Sequence, residues 1–158
     1  MQVESRITIS VPPEKVFEIY ADVGRWKVWD PDTKESSIDG PFQTGSKGRI
    51  TPPKGMSVPM DFISVVPNRS FTVESKIPFF RMVFEHELKA TAAGTEVLHR
   101  VTFSGALSFL LGPMVGKPLR TGLPITLASL KRLAEAGGLQ SILAPLSASN
   151  TRQASAGR

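Results

Sequence analysis

The sequence predicts an α+β protein in which a curved antiparallel sheet of about seven strands wraps around one long C-terminal helix. Three observations indicate this fold class. The chain opens with alternating apolar and polar residues, its middle consists of short alternating segments separated by turn residues, and apolar residues recur every three or four positions after Gly105. The connections between the middle segments are too short for parallel crossovers, so neighbouring strands are expected to pair antiparallel.

The first strand and a short helix come from the N-terminal residues. Residues 3–11 alternate between apolar and polar side chains, which is the period of a half-buried strand. Pro12, Pro13 and Glu14 then interrupt the strand and suit the first turn of a helix. We expect this helix to end near Gly24.

The middle of the chain predicts six further strands. Gly, Pro and Asn residues separate segments that alternate in polarity, and these segments are 34–39, 47–52, 58–66, 70–76, 80–90 and 95–104. Because each connection is short, consecutive strands should be neighbours in the sheet. The sheet is therefore predicted to be a meander.

The residues after Gly105 predict the long helix. Leucines and other apolar residues recur at helical spacing until Gly137 and Gly138, which supply a stop signal. Three interior prolines, at positions 113, 118 and 124, each remove an amide donor, so kinks or separate segments are expected.

The domain organisation follows from these elements. Residues 1–137 are expected to form one domain, because a chain of 158 residues with 41% hydrophobic content suits one core. Residues 138–158 are rich in Ser and Ala without a clear period, and we expect a flexible tail there.

Composition excludes several classes of function. The formal net charge of +5 includes Arg152 and Arg158 of the predicted tail, and the other basic residues are interspersed with acids, so nucleic-acid binding is not expected. The chain has no cysteine, which excludes disulfides and thiolate metal sites. No apolar run of about 18 residues or signal-peptide pattern is present, so we expect a cytoplasmic protein without stable membrane insertion.

Five segments in order along residues 3–137 resemble one known group of proteins. They are Ile9-Ser10-Val11-Pro12-Pro13-Glu14-Lys15-Val16-Phe17, Trp26 with Trp29, Val65-Val66-Pro67-Asn68-Arg69, Gly94-Thr95-Glu96-Val97, and Leu123-Pro124 through Leu130-Lys131-Arg132. Together they resemble the polyketide cyclase/dehydrase-type branch of the START and Bet v 1-like (SRPBCC) superfamily. The resemblance implies the helix-grip fold and an internal cavity, and it leaves the chemistry open because members include carriers, aromatic cyclases and regulators.

The two histidines of the chain are predicted to share the inner face of one hairpin. The even-numbered residues of 80–88 and the odd-numbered residues of 97–103 are apolar or histidine, whereas their neighbours are mostly charged. A two-residue turn at Ala93-Gly94 would give this register. His86 and His99 would then face the same side of the sheet.

Two interpretations of these histidines remain open. They are candidate catalytic residues for proton transfer in a cyclase or dehydratase, or they are half-buried residues that bond a neighbour or a ligand. The second interpretation is favoured, because Asp61 and Glu74 should lie on the opposite face and two histidines are too few for a metal site. Neither a phosphate-binding loop nor a nucleophile elbow occurs, so no cofactor and no metal are expected.

The leading hypothesis is binding or transport of a small apolar or aromatic ligand, lipid- or polyketide-like, in the internal cavity. The predicted cavity residues are Trp29, Phe62, Phe71, Met82, Phe84, His86, His99, Val101, Phe103, Leu119, Leu123 and Leu127. The alternatives are the cyclase or dehydratase activity and a module that binds a membrane surface or a protein partner through the apolar helix at residues 106–130.

Overall fold

Seven antiparallel strands form a curved sheet, and one long helix lies across its concave face. A computed structural model describes residues 1–142 of the chain. Their elements are β1 (Gln2–Ile9), α1 (Pro13–Ala21), a 3₁₀ helix (Val23–Val28), β2 (Glu35–Asp39), β3 (Lys47–Thr51), β4 (Val58–Val66), β5 (Ser70–Ile77), β6 (Phe80–Thr91), β7 (Gly94–Ser104) and α2 (Ser108–Glu135). The strand order is β1-β7-β6-β5-β4-β3-β2. The predicted fold class and the meander from β2 to β7 are confirmed.

The first strand joins the sheet beside the last one. β1 pairs antiparallel with β7, and Val3 lies opposite Val101 while Ile7 lies opposite Val97. Apolar residues therefore meet on the same face of the sheet. Since β2 forms the other edge, α1 and the 3₁₀ helix carry the chain from one edge of the sheet to the other.

The core consists of two clusters of buried side chains. The larger cluster joins α1 and the 3₁₀ helix to the sheet and to the C-terminal half of α2, and it contains Ile9, Val16, Ile19, Tyr20, Val23, Trp26, Trp29, Met60, Phe62, Phe71, Val73, Leu88, Val97, Leu127, Leu130 and Ala134. The smaller cluster lies under the N-terminal half of α2 and contains Val3, Phe80, Val101, Phe103 and Leu123. The two halves of α2 thus cover different parts of the sheet.

The long helix is continuous and packs mainly at one side of the sheet. α2 runs from Ser108 to Glu135 through all three prolines, so the predicted long helix is confirmed and is not divided into segments. Its contacts with the sheet are concentrated on β1, with fewer on β7 and β6. One side-chain contact reinforces its position, because Thr126 donates a hydrogen bond of 3.2 Å to the carboxylate of Asp30.

The tight turn between β6 and β7 lies one position before the predicted one. Thr91 pairs with Gly94, so the two turn residues are Ala92 and Ala93. Even-numbered residues of β6 still pair with odd-numbered residues of β7, as predicted. Gly94 has φ +128°, and a Cβ atom at this position would overlap the carbonyl oxygen of Ile9. This position therefore requires glycine both for its backbone conformation and for the close approach of β1.

The predicted tail begins within the described part of the chain and continues beyond it. Residues 140–142 form a helical turn after the end of α2. Residues 143–158 of the predicted tail lie outside the described residues. Gly137 and Gly138 have φ values of +104° and +77° and follow the end of α2, as the stop signal in the sequence predicted.

Replacing Gly94 by alanine should destabilise the protein. We expect Gly94→Ala to lower the free energy of unfolding by about 2–3 kcal/mol, because the new methyl group meets the backbone of β1 and the φ value is unfavourable for alanine. Gly24→Ala is the control, since its Cβ would meet no atom within 4 Å. Urea unfolding should show a change of less than about 0.5 kcal/mol for the control. Equal stability of the two variants would contradict the requirement for glycine at position 94.

Candidate functional site

An apolar cleft opens between the N-terminal half of α2 and strands β4 to β6. Its volume is about 240 Å³, and its walls are Val58, Ser75, Ile77, Phe80, Met82, Leu111, Met114 and Val115. The cleft lies on the side of the sheet away from β1, which is the strand that α2 contacts most. The position of the helix therefore leaves this part of the concave face accessible.

At one edge of the cleft, the tip of the β5–β6 hairpin is connected to the start of α2. Phe79 has φ +63°, a conformation that few non-glycine residues adopt, and its side chain is 72% exposed. Its carbonyl oxygen accepts a hydrogen bond of 2.9 Å from the backbone N–H of Leu107, immediately before α2. The hairpin tip and the start of the helix are thus connected directly.

A cluster of aromatic and polar rings occupies the interior behind the cleft. The Tyr20 hydroxyl and Nε2 of His99 are 2.7 Å apart in a buried hydrogen bond. His86 lies opposite His99 in the β6–β7 register, their ring centroids are 4.5 Å apart, and His86 stacks on Phe71 at 3.9 Å. The predicted shared face of the two histidines is confirmed. Tyr20 was not among the predicted cavity residues.

Burial keeps the titratable groups of this cluster neutral. It lowers the pKa of His86 to about 3, although the nearby backbone groups of Phe71 and Phe84 oppose the shift. Burial, and to a smaller extent the nearby His86, hold the pKa of His99 well below its usual range. Burial likewise raises the pKa of Tyr20 well above its ordinary value. At neutral pH the cluster therefore carries no charge.

The predicted carboxylate positions are on the outer side of the sheet. Asp61 accepts a hydrogen bond of 2.7 Å from Lys47, and Glu74 forms ion pairs with Lys76 and Arg81. These partners satisfy both acids away from the histidines. Within residues 1–142, no group of three or more His, Asp or Glu side chains has the arrangement of a metal site.

Three buried polar atoms lack a hydrogen-bond partner among residues 1–142. They are Oγ of Ser75, Nδ1 of His86 and Nε1 of Trp29. Ser75 lies in the wall of the cleft, while His86 and Trp29 lie in and beside the ring cluster. An unpaired polar atom in the interior is unfavourable by about 1–3 kcal/mol.

Three residues on the inner face of β6 keep part of their surface accessible. Met82, Phe84 and His86 alternate on this face, and each is only half-buried. Their neighbours on β5 and β7 are buried: Phe71, Val73, Ser75, His99, Val101 and Phe103. His86 thus keeps some accessible surface, although its Nδ1 atom is buried.

The structure distributes the twelve predicted cavity residues over three places. Of these twelve, Met82 is the one that lines the cleft among the described residues. Phe84, His86, His99, Val101, Phe103, Leu119 and Leu123 lie along the inner face of the sheet or under the N-terminal half of α2. Trp29, Phe62, Phe71 and Leu127 belong to the larger core cluster. Ligand contact by all twelve residues stays a prediction.

Most of the cleft walls were not predicted as binding residues. Leu111 and Met114 had the helical spacing of core positions, and Phe80 had the alternation of the inner face. No pattern in the sequence distinguished these side chains from ordinary core residues. Val58 and Ile77 stand at strand ends, where alternation gives little information about which face is covered.

A curved antiparallel sheet closed by a long C-terminal helix is the helix-grip fold. Residues 1–135 match the family model described as polyketide cyclase/dehydrase and lipid transport. The chain belongs to this family. The resemblance noted in the sequence is thereby confirmed. A search of curated protein sequences finds no match.

Solved structures with the same fold share little sequence with this chain. The protein MLL2253 from Mesorhizobium loti is 18% identical with a TM-score of 0.72, and the match covers 88% of this chain and 100% of that one. Ara h 8.0201 is 16% identical with a TM-score of 0.68, covering 87% and 99% of the two chains. TTHA0849 from Thermus thermophilus is 17% identical with a TM-score of 0.66, covering 86% and 98%.

Acidification should destabilise the protein through its neutral histidines. Their pKa values are lower in the folded than in the unfolded chain, so stability is lost as the pH falls below about 6.5. Between pH 7 and pH 5 we expect each histidine to lower the free energy of unfolding by about 2 kcal/mol. Urea unfolding at several pH values measures this change.

His86→Phe is the matched variant for this test, since a phenyl ring can keep the stack on Phe71 without titrating. Its loss of stability between pH 7 and pH 5 should be about half that of the original protein. The carboxyl groups with lowered pKa values, such as Glu74, contribute mainly below this range. Unchanged stability of the original protein down to pH 5 would show that the histidines are not buried in neutral form.

Proposed function

We propose that the protein binds a small apolar or aromatic molecule in the cleft between α2 and strands β4 to β6. The observation that carries this proposal is the cleft itself, whose walls are apolar except for Ser75. Binding pockets for small molecules usually combine an apolar lining with a few polar groups. The volume of about 240 Å³ lies just below the usual range of about 300–1,000 Å³, which favours a small ligand.

The chemistry of the histidines favours binding over proton transfer. A general base works best when its pKa lies near the working pH. The pKa of His86 is lowered to about 3, and Tyr20 holds Nε2 of His99 in a hydrogen bond. Neither histidine contacts a carboxylate among residues 1–142, since Asp61 and Glu74 are paired on the outer face. These features support a carrier or sensor more than a cyclase or dehydratase.

The neutral fluorescent probe N-phenyl-1-naphthylamine tests the proposal. We expect saturable binding with one site per chain, because a probe that enters an apolar cleft leaves water and becomes brighter. Val115→Trp should weaken binding by about tenfold or more, since Val115 lies in the cleft wall and the larger ring would fill the space. Fluorescence titration measures both quantities.

Ile125→Trp is the control for this experiment. Ile125 lies on the same helix, is 58% exposed and lies outside the cleft, so the variant should bind the probe like the original protein. Equal binding by the Val115→Trp variant would contradict the proposed site. Native mass spectrometry of freshly purified protein would complement the titration, because a bound apolar molecule could be extracted and identified directly.

A second candidate function is attachment to an anionic membrane surface. Phe109, Leu110 and Met114 are 78%, 62% and 66% exposed on the first half of α2, beside the mouth of the cleft. The chain has no acidic residue between Glu96 and Glu135. Exposed apolar residues on a basic helix are suited to the interface of a membrane with anionic lipids. No helix within residues 1–142 is long and apolar enough to cross a bilayer.

Flotation with phosphatidylserine-containing vesicles tests this second candidate. The protein should float with these vesicles and less with pure phosphatidylcholine, and Phe109→Asp should reduce the bound fraction by at least about threefold. Ile63→Asp is the control, since Ile63 is exposed on a strand at a distance from this helix. If the original protein stays entirely unbound with anionic vesicles at low salt, membrane attachment is excluded.

A further inference from the structure

The tip of the β5–β6 hairpin exposes a large apolar side chain at a backbone position that disfavours it. Ile77 pairs with Phe80, so the two turn residues are Pro78 and Phe79. The φ value of Phe79 is +63°, a region in which glycine or asparagine is the usual residue. Because its ring is mostly exposed, the ring buries little area within the chain and stabilises the hairpin little. The ring is therefore free to contact a partner.

The hairpin tip and the start of α2 form one apolar surface. The backbone N–H of Leu107 donates a hydrogen bond to the carbonyl oxygen of Phe79, so the two elements are joined next to α2. Leu110 and Met114 are mostly exposed and share one face of the helix, since they are four residues apart. Ile77 and Met114 also belong to the walls of the cleft. We call Ile77, Phe79, Leu110 and Met114 the mouth surface.

The chain segments around the mouth surface carry basic residues and no acid. All eight walls of the cleft come from segments 40–60, 75–84 and 97–134, and none of these segments contains Asp or Glu. Glu74, the acid that precedes the hairpin tip, is already paired with two cations. The exposed basic residues closest in sequence to the cleft walls are Lys54, Lys76, Arg81 and Lys117. The mouth surface is thus apolar, with positive charge in the segments that carry it.

This combination matches the interface of a membrane that contains anionic lipids. Apolar side chains enter the acyl region of such a membrane, while Lys and Arg attract the anionic head groups. A second copy of the chain is a poorer partner. A symmetric contact between two mouth surfaces would bring the same cations face to face, and their repulsion would oppose it.

We propose that the tip of the β5–β6 hairpin inserts into an anionic bilayer together with the start of α2, so that the cleft opens onto the hydrocarbon region of the bilayer. Phe79 is the anchor of the hairpin. This inference rests on the second candidate function, which concerns α2 alone, and adds a separate element and an orientation. A ligand dissolved in the bilayer then reaches the cleft without crossing water.

A dye attached to single cysteines tests which elements insert, since the chain contains no cysteine. Phe79→Cys and Leu110→Cys each carry the environment-sensitive dye nitrobenzoxadiazole. With phosphatidylserine-containing vesicles, we expect both dyes to brighten at least about threefold and to be quenched by nitroxide-labelled lipids, because they leave water. The control is Ile63→Cys with the same dye, as Ile63 is exposed on β4 outside the mouth surface, and its fluorescence should not change.

The neutral variant Phe79→Asn tests the anchor without changing the charge of the protein. Asparagine tolerates the φ value of this position, so the midpoint of urea unfolding should stay equal or rise. The fraction that floats with phosphatidylserine-containing vesicles should fall at least about threefold, whereas Ile63→Asn should float like the original protein. A clearly lower urea midpoint for Phe79→Asn would show that the ring supports the fold, and would overturn its role as an anchor.

The outcomes separate this inference from the functions on which it rests. If the original protein does not float, both membrane attachment and the inference fail, while probe binding in water still tests the cleft. If it floats and only the dye at Leu110→Cys brightens, α2 attaches alone and the inference fails by itself. Brightening without vesicles as protein concentration rises would indicate a second copy. Equal brightening with soluble polyglutamate would indicate an acidic protein partner, and either result would overturn the inference.

Discussion

The packing of α2 against β1 is the constraint on which the site depends. A sheet with one apolar face must cover that face, and in this chain a single helix covers most of it. Because α2 contacts β1 far more than the other strands, the concave face is well covered beside β1 and β7. The opposite side, at β4 to β6, is covered less closely, and the cleft lies there. The position of the helix on the sheet therefore determines the position of the cleft.

Among the described residues, the inner face of the sheet presents polar atoms but no charged group. Tyr20, His86 and His99 are close enough to interact, and burial favours the neutral form of each. Charged residues of the same strands are paired on the outer face, as Glu74 is with Arg81. Such an arrangement offers no ionic partner to a charged molecule in the interior.

Local patterns predicted the fold well and the site only in part. The alternation of apolar and polar residues and the short turns between them predicted the strands. The two-residue turn between β6 and β7 predicted a register that places His86 and His99 on one face of the sheet. The contact of Tyr20 with His99 joins residues 79 positions apart, and no local pattern encodes it. The side of the sheet on which α2 lies also depends on packing between distant elements. For that reason the predicted cavity residues included Met82 but missed Val115.

The hydrogen bond between Leu107 and Phe79 has a mechanical consequence for exchange of a bound molecule. It connects the hairpin tip to the residue immediately before α2, so these two walls of the cleft should resist separation. Val58 of β4 and Met114 of α2 belong to the other walls of the cleft. Met114 is unbranched and mostly exposed, and its side chain can rotate without displacing the backbone. A passenger would thus be released by the rotation of side chains rather than by the unfolding of a lid.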